Sequence, residues 1–382
     1  MKNYKKEFRI ISILIILILF IYIFTFDSKY ADFFAYNISN IFIAIMGSIT
    51  SILPFALFEF VFIFLILFGL FLFIKIFRNL KIKEKEKSIK STFNFFTYIL
   101  SIILVYTLST GVAYYRSPIP LPMYEGEIPI SLVDEAIAYY LDDYNKLAES
   151  FEKDENNASI CPYSFFDLAK KMQKEANRLN EYASDYYYKF TALPKPTLFS
   201  PILSELHITG VDFPFTAEAN VNFSMPSIDI PFTMAHEIAH LKGVMKEDEA
   251  NTCALFICIT SSDPYIRYSG YFRGFWRLME IKQYTNYKEY AALTHKVSPY
   301  VYMDNQFYNN YFKEHNLLEE ISDFINDIYL MMNGQKEGTD SYDDKSDTEH
   351  VGNDEDGNEI RVYKNYSSYQ KLLIQNYVDL KD

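Results

Sequence analysis

The stretch HEIAHLKGVMKEDEAN, residues 236–251, places two histidines four positions apart and a run of three acidic residues shortly after them. Pro231 precedes it at a position that suits the first turn of a helix, and Gly243 interrupts it where a helix would end. The segment therefore predicts a helix over residues 231–242, a turn, and a second helix that begins among the acidic residues.

At about 100° per residue, such a helix places His240 about 40° from His236, so both histidines share one face. Met234, Ile238 and Leu241 fall on the opposite face, and small alanines flank the histidines. This pattern predicts an apolar back that packs into the protein and a histidine face with room for a metal ion.

Two imidazoles at this spacing are typical zinc ligands, and a catalytic zinc site keeps three protein ligands and one open position. Glu237 lies about 100° round the helix from His236, so its carboxylate can reach a water molecule at the open position. We therefore expect zinc at His236 and His240, with Glu237 as general base, which is the arrangement of a zinc hydrolase.

The third ligand has to come from the acidic run. Glu247 and Glu249 lie about 200° apart on a helix, so only one of them can face the histidines. Glu247 shares its face with Asn251, whose polar side chain could orient a ligand histidine, whereas Glu249 shares its face with the apolar Cys253. The sequence favours Glu247 as the ligand, leaves Glu249 as the alternative, and makes Asp248 the weakest candidate.

Upstream, three apolar runs occupy about residues 10–26, 53–74 and 93–114. Each is close to the roughly 20 residues that a membrane-spanning helix needs. We predict three transmembrane helices and a membrane anchor over residues 1–116. For residues 40–51 the sequence leaves open whether the segment lies on the membrane or dips into it.

Basic residues cluster before the first apolar run and again between the second and third, whereas Lys29 is the one basic residue between the first and second. By the positive-inside rule, the N-terminus is cytoplasmic and the chain from about Arg116 lies outside the cytoplasm. We therefore expect a multi-pass protein of the cell membrane, embedded in the lipid bilayer. The basic residues are Lys2, Lys5, Lys6 and Arg9 in the first cluster, and Lys75, Arg78, Lys81, Lys83, Lys85, Lys87 and Lys90 in the second.

Residues 117–382 predict an extracytoplasmic domain that is mainly α-helical, of the α+β class, with a small antiparallel sheet. Residues 340–361 are rich in Asp, Glu, Ser and Gly and predict a flexible acidic insertion. The net charge of −13 argues against a nucleic-acid partner, which requires a basic surface. No pattern indicates an oligomeric state.

Residues 215–222 alternate in polarity and predict an edge strand before the histidine helix. An extended peptide substrate could pair with such a strand, which makes Glu218 and Asn220 candidates for substrate contact. Tyr268 and Tyr271, together with His207, are candidates for stabilising an oxyanion.

The motif His-Glu-x-x-His followed by Glu247 and Asn251 resembles gluzincin-type membrane peptidases, in which Glu-x-x-x-Asp on a second helix supplies the third ligand and its neighbour. Asn251 stands where aspartate is usual in that group. The position of Gly243 resembles the metzincin pattern, but Lys246 stands where the third metzincin histidine belongs, so that assignment fails.

A second resemblance covers nearly the whole chain. Three apolar N-terminal runs followed by five short motifs are similar to an uncharacterised bacterial membrane family, domain of unknown function 3810, which is regarded as zincin-like. This resemblance implies the same membrane topology and Glu247 as a ligand, and it implies no substrate. The motifs are PFTAEANVN (214–222), PFTMAHEIAHLKG (231–243), EDEAN (247–251), RYSGYFR (267–273) and NGQKEGTDSY (333–342).

Together these features predict a membrane-anchored zinc metalloendopeptidase of the His-Glu-x-x-His type that acts on peptides or proteins outside the cytoplasm. The alternative is a membrane sensor or scaffold without catalytic activity, in which zinc is structural. The carboxylate of Glu237 argues for the enzyme, since a structural site has no use for it.

Overall fold

The structure, a computed structural model, describes residues 4–342 and 345–381, and it is mainly helical. The apolar N-terminal third forms helices α1 (Lys5–Tyr22), α2 (Ser28–Phe34), α3 (Asn40–Thr50), α4 (Phe58–Lys81) and α5 (Lys85–Ser109). Helix α5 packs against both α1 and α4, and these three helices form a bundle. Because they are apolar all round, most of their side chains are exposed on the outside of the bundle, as in a helix made for lipid.

Among the described residues, four helical segments are long and apolar enough to cross a membrane, one more than the three transmembrane helices that the sequence predicts. The additional segment is Ser28–Thr50, in which a short π-helical turn joins α2 to α3. It was missed because polar residues such as Asn37 and Asn40 interrupt its apolar pattern.

Both ends of this additional segment contact the folded domain. Near its start, Asp32 accepts a hydrogen bond from Nε of Arg116 at 3.1 Å. At its end, the hydroxyl of Thr50 donates to the backbone carbonyl of Thr216 at 3.0 Å. A helix that meets the same domain at both ends lies along that domain, unlike the three helices of the bundle.

The bundle has a domain end and a basic end. At the domain end, the ring of Phe58 at the start of α4 packs against Phe199 and Phe213. At the other end, α4 finishes at Lys81 and α5 begins at Lys85. The basic residues between the second and third predicted spans therefore lie on the side of the bundle away from the domain.

The domain is built around α12, which packs against α6, α10, α11 and α16. Tyrosine rings fill much of its centre, including the fully buried Tyr140 and Tyr144. Its helices are α6 (Ile130–Ser150), α7 (Phe165–Glu175), α8 (Arg178–Tyr182), α9 (Ser200–Glu205), α10 (Ile230–Leu241), α11 (Glu247–Ile259), α12 (Pro264–Thr285), α13 (Tyr287–Thr294), α14 (Pro299–Glu314), α15 (Glu319–Met332) and α16 (Ser368–Lys381).

A three-stranded sheet lies against α10. It consists of β1 (Lys195–Pro196), β2 (Gly210–Phe213) and β3 (Glu218–Val221) in the order β1-β3-β2. Strand β3 pairs with β2 antiparallel and with β1 parallel. The predicted sheet was antiparallel throughout, and it is mixed because the chain returns from β1 through α9 before it reaches β2.

A hairpin with two shifts in its register overlaps residues 340–361, for which the sequence predicts a flexible acidic insertion. Residues 343 and 344 of that predicted insertion lie outside the described residues. Strands β4 (Asp347–Asn353) and β5 (Glu359–Asn365) pair antiparallel. The carboxylate of Asp354 accepts backbone hydrogen bonds from Asp356 and Asn358 and so closes the turn between them. The composition gave no sign of these strands, because an exposed two-stranded ribbon needs backbone pairing and a good turn more than it needs apolar residues.

The junction of bundle and domain contains a buried ion pair between Lys195 and Glu218, 2.6 Å apart. Glu218 also accepts the backbone N–H groups of Leu57 and Phe58 where α4 begins. The Lys195 ammonium donates to the backbone carbonyl of Thr50 at the end of α3. One carboxylate therefore ties β3 to the first turn of α4.

We predict that Glu218→Gln lowers the free energy of unfolding by about 3–5 kcal/mol, because it leaves the buried Lys195 ammonium without its counter-charge. Thermal unfolding of the detergent-solubilised protein measures the effect. The control is Asp142→Asn, which breaks the exposed Lys146–Asp142 pair and should cost less than about 1 kcal/mol. A Glu218→Gln protein that unfolds at the parent temperature would contradict this role.

Candidate metal centre

Helix α10 carries the histidines, and the structure confirms the predicted helix to within one residue at each end. Its predicted apolar back, Met234, Ile238 and Leu241, is buried. The chain then turns through Gly243, whose φ of +87° favours glycine. A Cβ atom at Gly243 would come within 2.6 Å of the Tyr188 ring, so the turn depends on that glycine.

The turn brings Glu247, the first residue of α11, against the histidine face of α10. Nε2 of His236 lies 2.9 Å from Nε2 of His240. Oε2 of Glu247 lies 3.2 Å from the first of these nitrogens and 3.5 Å from the second. Ligand bonds of about 2.0–2.1 Å in a tetrahedral zinc site would place ligand atoms about 3.3 Å apart, which is the spacing seen here.

The hydrogen bonds of the two imidazoles orient their Nε2 atoms, which also bond to each other. His240 donates from Nδ1 to the carbonyl of Val244 at 2.8 Å, which turns its Nε2 toward Glu247. Oε2 of Glu247 is buried, and no donor among the described residues reaches it in hydrogen-bonding geometry. A buried carboxylate oxygen facing two imidazole nitrogens fits a bound cation, because a cation would satisfy all three atoms at once.

The electrostatics of the cluster point the same way. Burial alone would raise the pKa of Glu247, but the charge of His240 lowers that pKa to about 2. Burial alone would lower the pKa of His240, but the Glu247 carboxylate raises that pKa to about 10. Burial and the neighbouring His240 lower the pKa of His236. Glu247 is therefore ionised beside a protonated His240, while His236 is neutral at neutral pH. A metal cation bound at these atoms would take the place of the His240 proton.

Glu237 lies beside strand β2, close to His240. Its carboxylate is buried, and a Cβ atom on Gly210 would come within 2.4 Å of its Oε1. Glu237, His240 and Asp212 form a second group whose ligand atoms lie within 4.8 Å of one another. Burial raises the pKa of Glu237 well above its ordinary value, and the nearby Asp212 carboxylate adds to this rise.

Asp212 was missed by the sequence reasoning. Its carboxyl group is buried, one of its oxygens has no hydrogen-bond partner among the described residues, and burial raises its pKa. The alternating segment Gly210–Phe213 could have identified it as a strand residue, but nothing in the sequence places that strand against Glu237.

Asp248 and Glu249, the other two acids of the run at residues 247–249, point away from the histidines. Lys246 pairs with Glu249 at 3.0 Å. Burial raises the pKa of Glu249 to about 7. Asp248 lines a separate surface depression together with Lys246. Among the three acids of the run, the structure therefore brings Glu247 to the histidines, as the helical facing argument predicts.

Asn251 lies one turn after Glu247, and its side chain borders the same cavity as His236. Its amide donates to the backbone carbonyl of Tyr342 at 3.3 Å. Nδ1 of His236 is buried without a partner in hydrogen-bonding geometry among the described residues. Asn251 is therefore beside the histidine that it was predicted to orient, and hydrogen bonding by its side chain partly opposes the fall in the pKa of His236 that burial and His240 cause.

The cavity beside His236 has a volume of about 320 Å³. Tyr342, at the end of the 3₁₀ segment Gly338–Tyr342, forms one wall, and its pKa is raised by burial and by the Glu247 charge. This tyrosine closes the NGQKEGTDSY motif, which the sequence reasoning quoted without assigning it a role. The lining residues are His207, Thr209, Phe232, Thr233, His236, Asn251, Arg273, Arg277, Tyr342 and Tyr369.

The prediction of an edge strand at residues 215–222 is wrong, because β3 is the central strand and β1 and β2 are the two edges. On β3, Glu218 is used in the buried ion pair described above, and Asn220 donates to the carbonyl of Val211 at 3.1 Å. The Glu218 carboxylate is thus satisfied within the protein, whereas Oδ1 of Asn220 is buried without a hydrogen-bond partner among the described residues. The alternating pattern identifies a strand, but it does not show whether other strands pair with it on one side or on both.

The two tyrosines predicted as oxyanion groups lie in the packed interior. The hydroxyl of Tyr268 bonds to Asp304 at 2.5 Å, and that of Tyr271 bonds to Asp143 at 3.0 Å. The structure does not bring either of them to the cavity. His207 does border it, although its Nε2 already lies 2.9 Å from the carbonyl of Phe312.

Comparison of the chain with curated proteins finds no match, and comparison with solved structures finds none. A family model described as "Protein of unknown function (DUF3810)" matches residues 30–347, which include α10, α11 and every residue of the metal-ligand cluster. The chain therefore belongs to the DUF3810 family of proteins of unknown function.

Proposed function

We propose that this protein is a membrane-anchored zinc metallopeptidase that hydrolyses peptide bonds outside the cytoplasm. The observation that carries the proposal is the convergence of His236, His240 and Glu247 on one point, with Glu237 directly beside it. Three ligands from α10 and α11 leave one position open, which is the arrangement of a catalytic zinc site. Zinc held by these three residues would act as a Lewis acid and activate a water molecule.

Glu237 is the general base in this proposal. Its carboxylate is enclosed by Gly210 and Asp212, so it is held in one orientation and shielded from bulk water. A raised pKa makes this carboxylate a better proton acceptor than an exposed glutamate would be. It accepts a proton from the attacking water and returns that proton to the leaving amine.

Strand β2 is the part of the site that an extended substrate would meet. It is an edge of its sheet, and its residue Asp212 lies beside Glu237. A peptide that added to this edge would place its backbone along the metal centre, with main-chain hydrogen bonds supplying affinity. Side chains of the peptide would then reach the cavity beside His236.

We further propose that the N-terminus is cytoplasmic and that the domain is extracytoplasmic. Lys81 and Lys85 lie at the end of the bundle away from the domain, and the start of α1 is close to the start of α5, where Tyr4 stacks on Phe93. All the basic clusters are thus on one side of the bundle. The positive-inside rule assigns that side to the cytoplasm.

The zinc proposal predicts different outcomes for two neighbouring acids. Glu247→Gln should weaken zinc binding by more than the roughly 10–100-fold typical of losing an outer-shell partner, because it removes a ligand. Glu249→Gln is the matched control and should retain zinc, because its side chain pairs with Lys246. Metal content of the purified full-length protein by mass spectrometry decides the matter, and equal zinc loss in both variants would refute this ligand assignment.

The catalytic proposal predicts that Glu237→Gln keeps its zinc and loses peptide hydrolysis by about 10²–10⁴-fold, the usual contribution of a general base. Cleavage of a fluorogenic peptide library by the purified protein measures the loss, and the exposed Glu155→Gln serves as the control. A Glu237→Gln protein of unchanged activity would contradict the mechanism. A metal with four protein ligands would instead favour the sensor or scaffold with structural zinc.

The orientation predicts which thiols a membrane-impermeant reagent can label in intact cells. In a Cys161→Ser background, Glu155→Cys on the domain should be labelled from outside, whereas Lys85→Cys should be labelled only after lysis. The two remaining cysteines, Cys253 and Cys258, are fully buried and should not react with the reagent. Labelling with the reverse pattern would place the domain in the cytoplasm.

A further inference from the structure

Helix α15 exposes its large apolar side chains, whereas a surface helix of a soluble protein buries them. At about 100° per residue, six large apolar residues occupy an arc of about 120° without a charged residue. All six are exposed, and Phe324 and Met332 are 66% and 78% exposed. The residues of this apolar face are Ile321, Phe324, Ile325, Ile328, Met331 and Met332.

The opposite side of α15 faces the protein. Ser322 and Leu330, which lie roughly 120–160° from the middle of the apolar face, are buried. At its N-terminal end, the backbone N–H of Leu318 donates to the carbonyl of Glu205 at 3.0 Å. The apolar face therefore points away from the domain because the helix is fixed by its other side, and no described residue covers it.

Hydrogen bonds fix the C-terminal end of α15 beside the helix bundle. The hydroxyl of Tyr329 lies 3.3 Å from that of Tyr106 and 3.1 Å from that of Tyr114. Tyr106 also donates to the side-chain oxygen of Asn333 at 2.6 Å. Because Tyr106 is in the last turn of α5, the C-terminal end of α15 is fixed at the domain end of the membrane bundle.

The other end of α15 is close to the bundle as well. Glu205, which anchors Leu318, ends α9, and Phe199 just before α9 packs against Phe58 at the start of α4. Exposed apolar residues continue the face around this end, since Leu198 and Leu317 are 74% and 79% exposed. The apolar face thus runs from the domain end of α4 to that of α5.

We propose that α15 is an interfacial helix whose apolar face lies in the domain-side leaflet of the bilayer. Lipid is the occupant because the face is continuous with the lipid-facing surface of α4 and α5 and lies at their domain end. The helix contains no lysine or arginine, so its contact with the membrane depends on apolar area and not on anionic lipid.

This placement holds the metal centre at the membrane surface. The side chain of Asn326 on α15 donates to the hydroxyl of Tyr342, which walls the cavity beside His236. Asp327 accepts from both the backbone and the hydroxyl of Thr339 in the segment that leads to Tyr342. If the site is a peptidase, which is the proposal above, its substrates are polypeptides presented at the bilayer surface.

The test uses the full-length Cys161→Ser protein in phosphatidylcholine vesicles, with a polarity-sensitive fluorophore attached at Ile325→Cys. The matched control is Asp323→Cys, an exposed position outside the apolar face. We expect the fluorophore at position 325 to show blue-shifted emission and to be quenched several times more strongly by nitroxide-labelled lipid than the fluorophore at position 323. Adding anionic lipid should not change the difference.

Equal, water-like emission at both positions would overturn the proposal. Blue-shifted emission at position 325 that resists lipid quenching, together with disulfide cross-linking of two Ile325→Cys copies, would also overturn it, in favour of a dimer contact. Both readouts are independent of zinc and of hydrolysis, so a failure of the peptidase proposal would leave this result unchanged.

Discussion

The buried carboxylate of Glu247 facing two imidazole nitrogens is the constraint on which the site depends. Only six residues separate His240 from Glu247, and the chain must reverse within them. Gly243 allows the reversal, and the carbonyl of Val244 in the same turn orients His240. A short turn therefore does two things, since it returns the chain and aligns a ligand. The proximity of these three buried atoms is the observation on which the proposed metal site rests.

The membrane bundle and the domain are joined through buried polar contacts and not through a flexible tether. Glu59, the single acid within the apolar run of α4, is buried and accepts the backbone N–H of Phe199 at 3.2 Å. Glu218 bonds the first turn of α4 from the other direction, and Arg116 pairs with Asp32 across the junction. Such contacts fix the position of the domain on the bundle. The candidate metal centre is consequently held in a fixed position relative to the helix bundle.

Much of the site was predictable because, within a helix, the spacing of residues in the sequence determines the face on which each side chain lies. The facing argument for residues 231–242 needed only the helical period, and the choice of Glu247 over Glu249 needed in addition the polar Asn251 on the face of Glu247. Asp212 and Tyr342 were not predictable, because they reach the site from a strand and a short 3₁₀ segment that are distant in sequence. Glu218 was misassigned for the opposite reason. Its polar character suggested substrate contact, but the membrane helix that it holds is visible only in the assembled protein.

The sequence by itself determined the apolar helices of the anchor, the helix that carries His236 and His240, and the face on which Glu247 lies. These are local properties, set by hydropathy, helical period and the preferences of proline and glycine. The tertiary structure alone decided which strands are the edges, which acids surround Glu237, and that α15 turns its apolar side outward beside the bundle. Those outcomes depend on contacts between segments that are distant in the chain. The residue spacing within one segment does not show which other segment it will pack against.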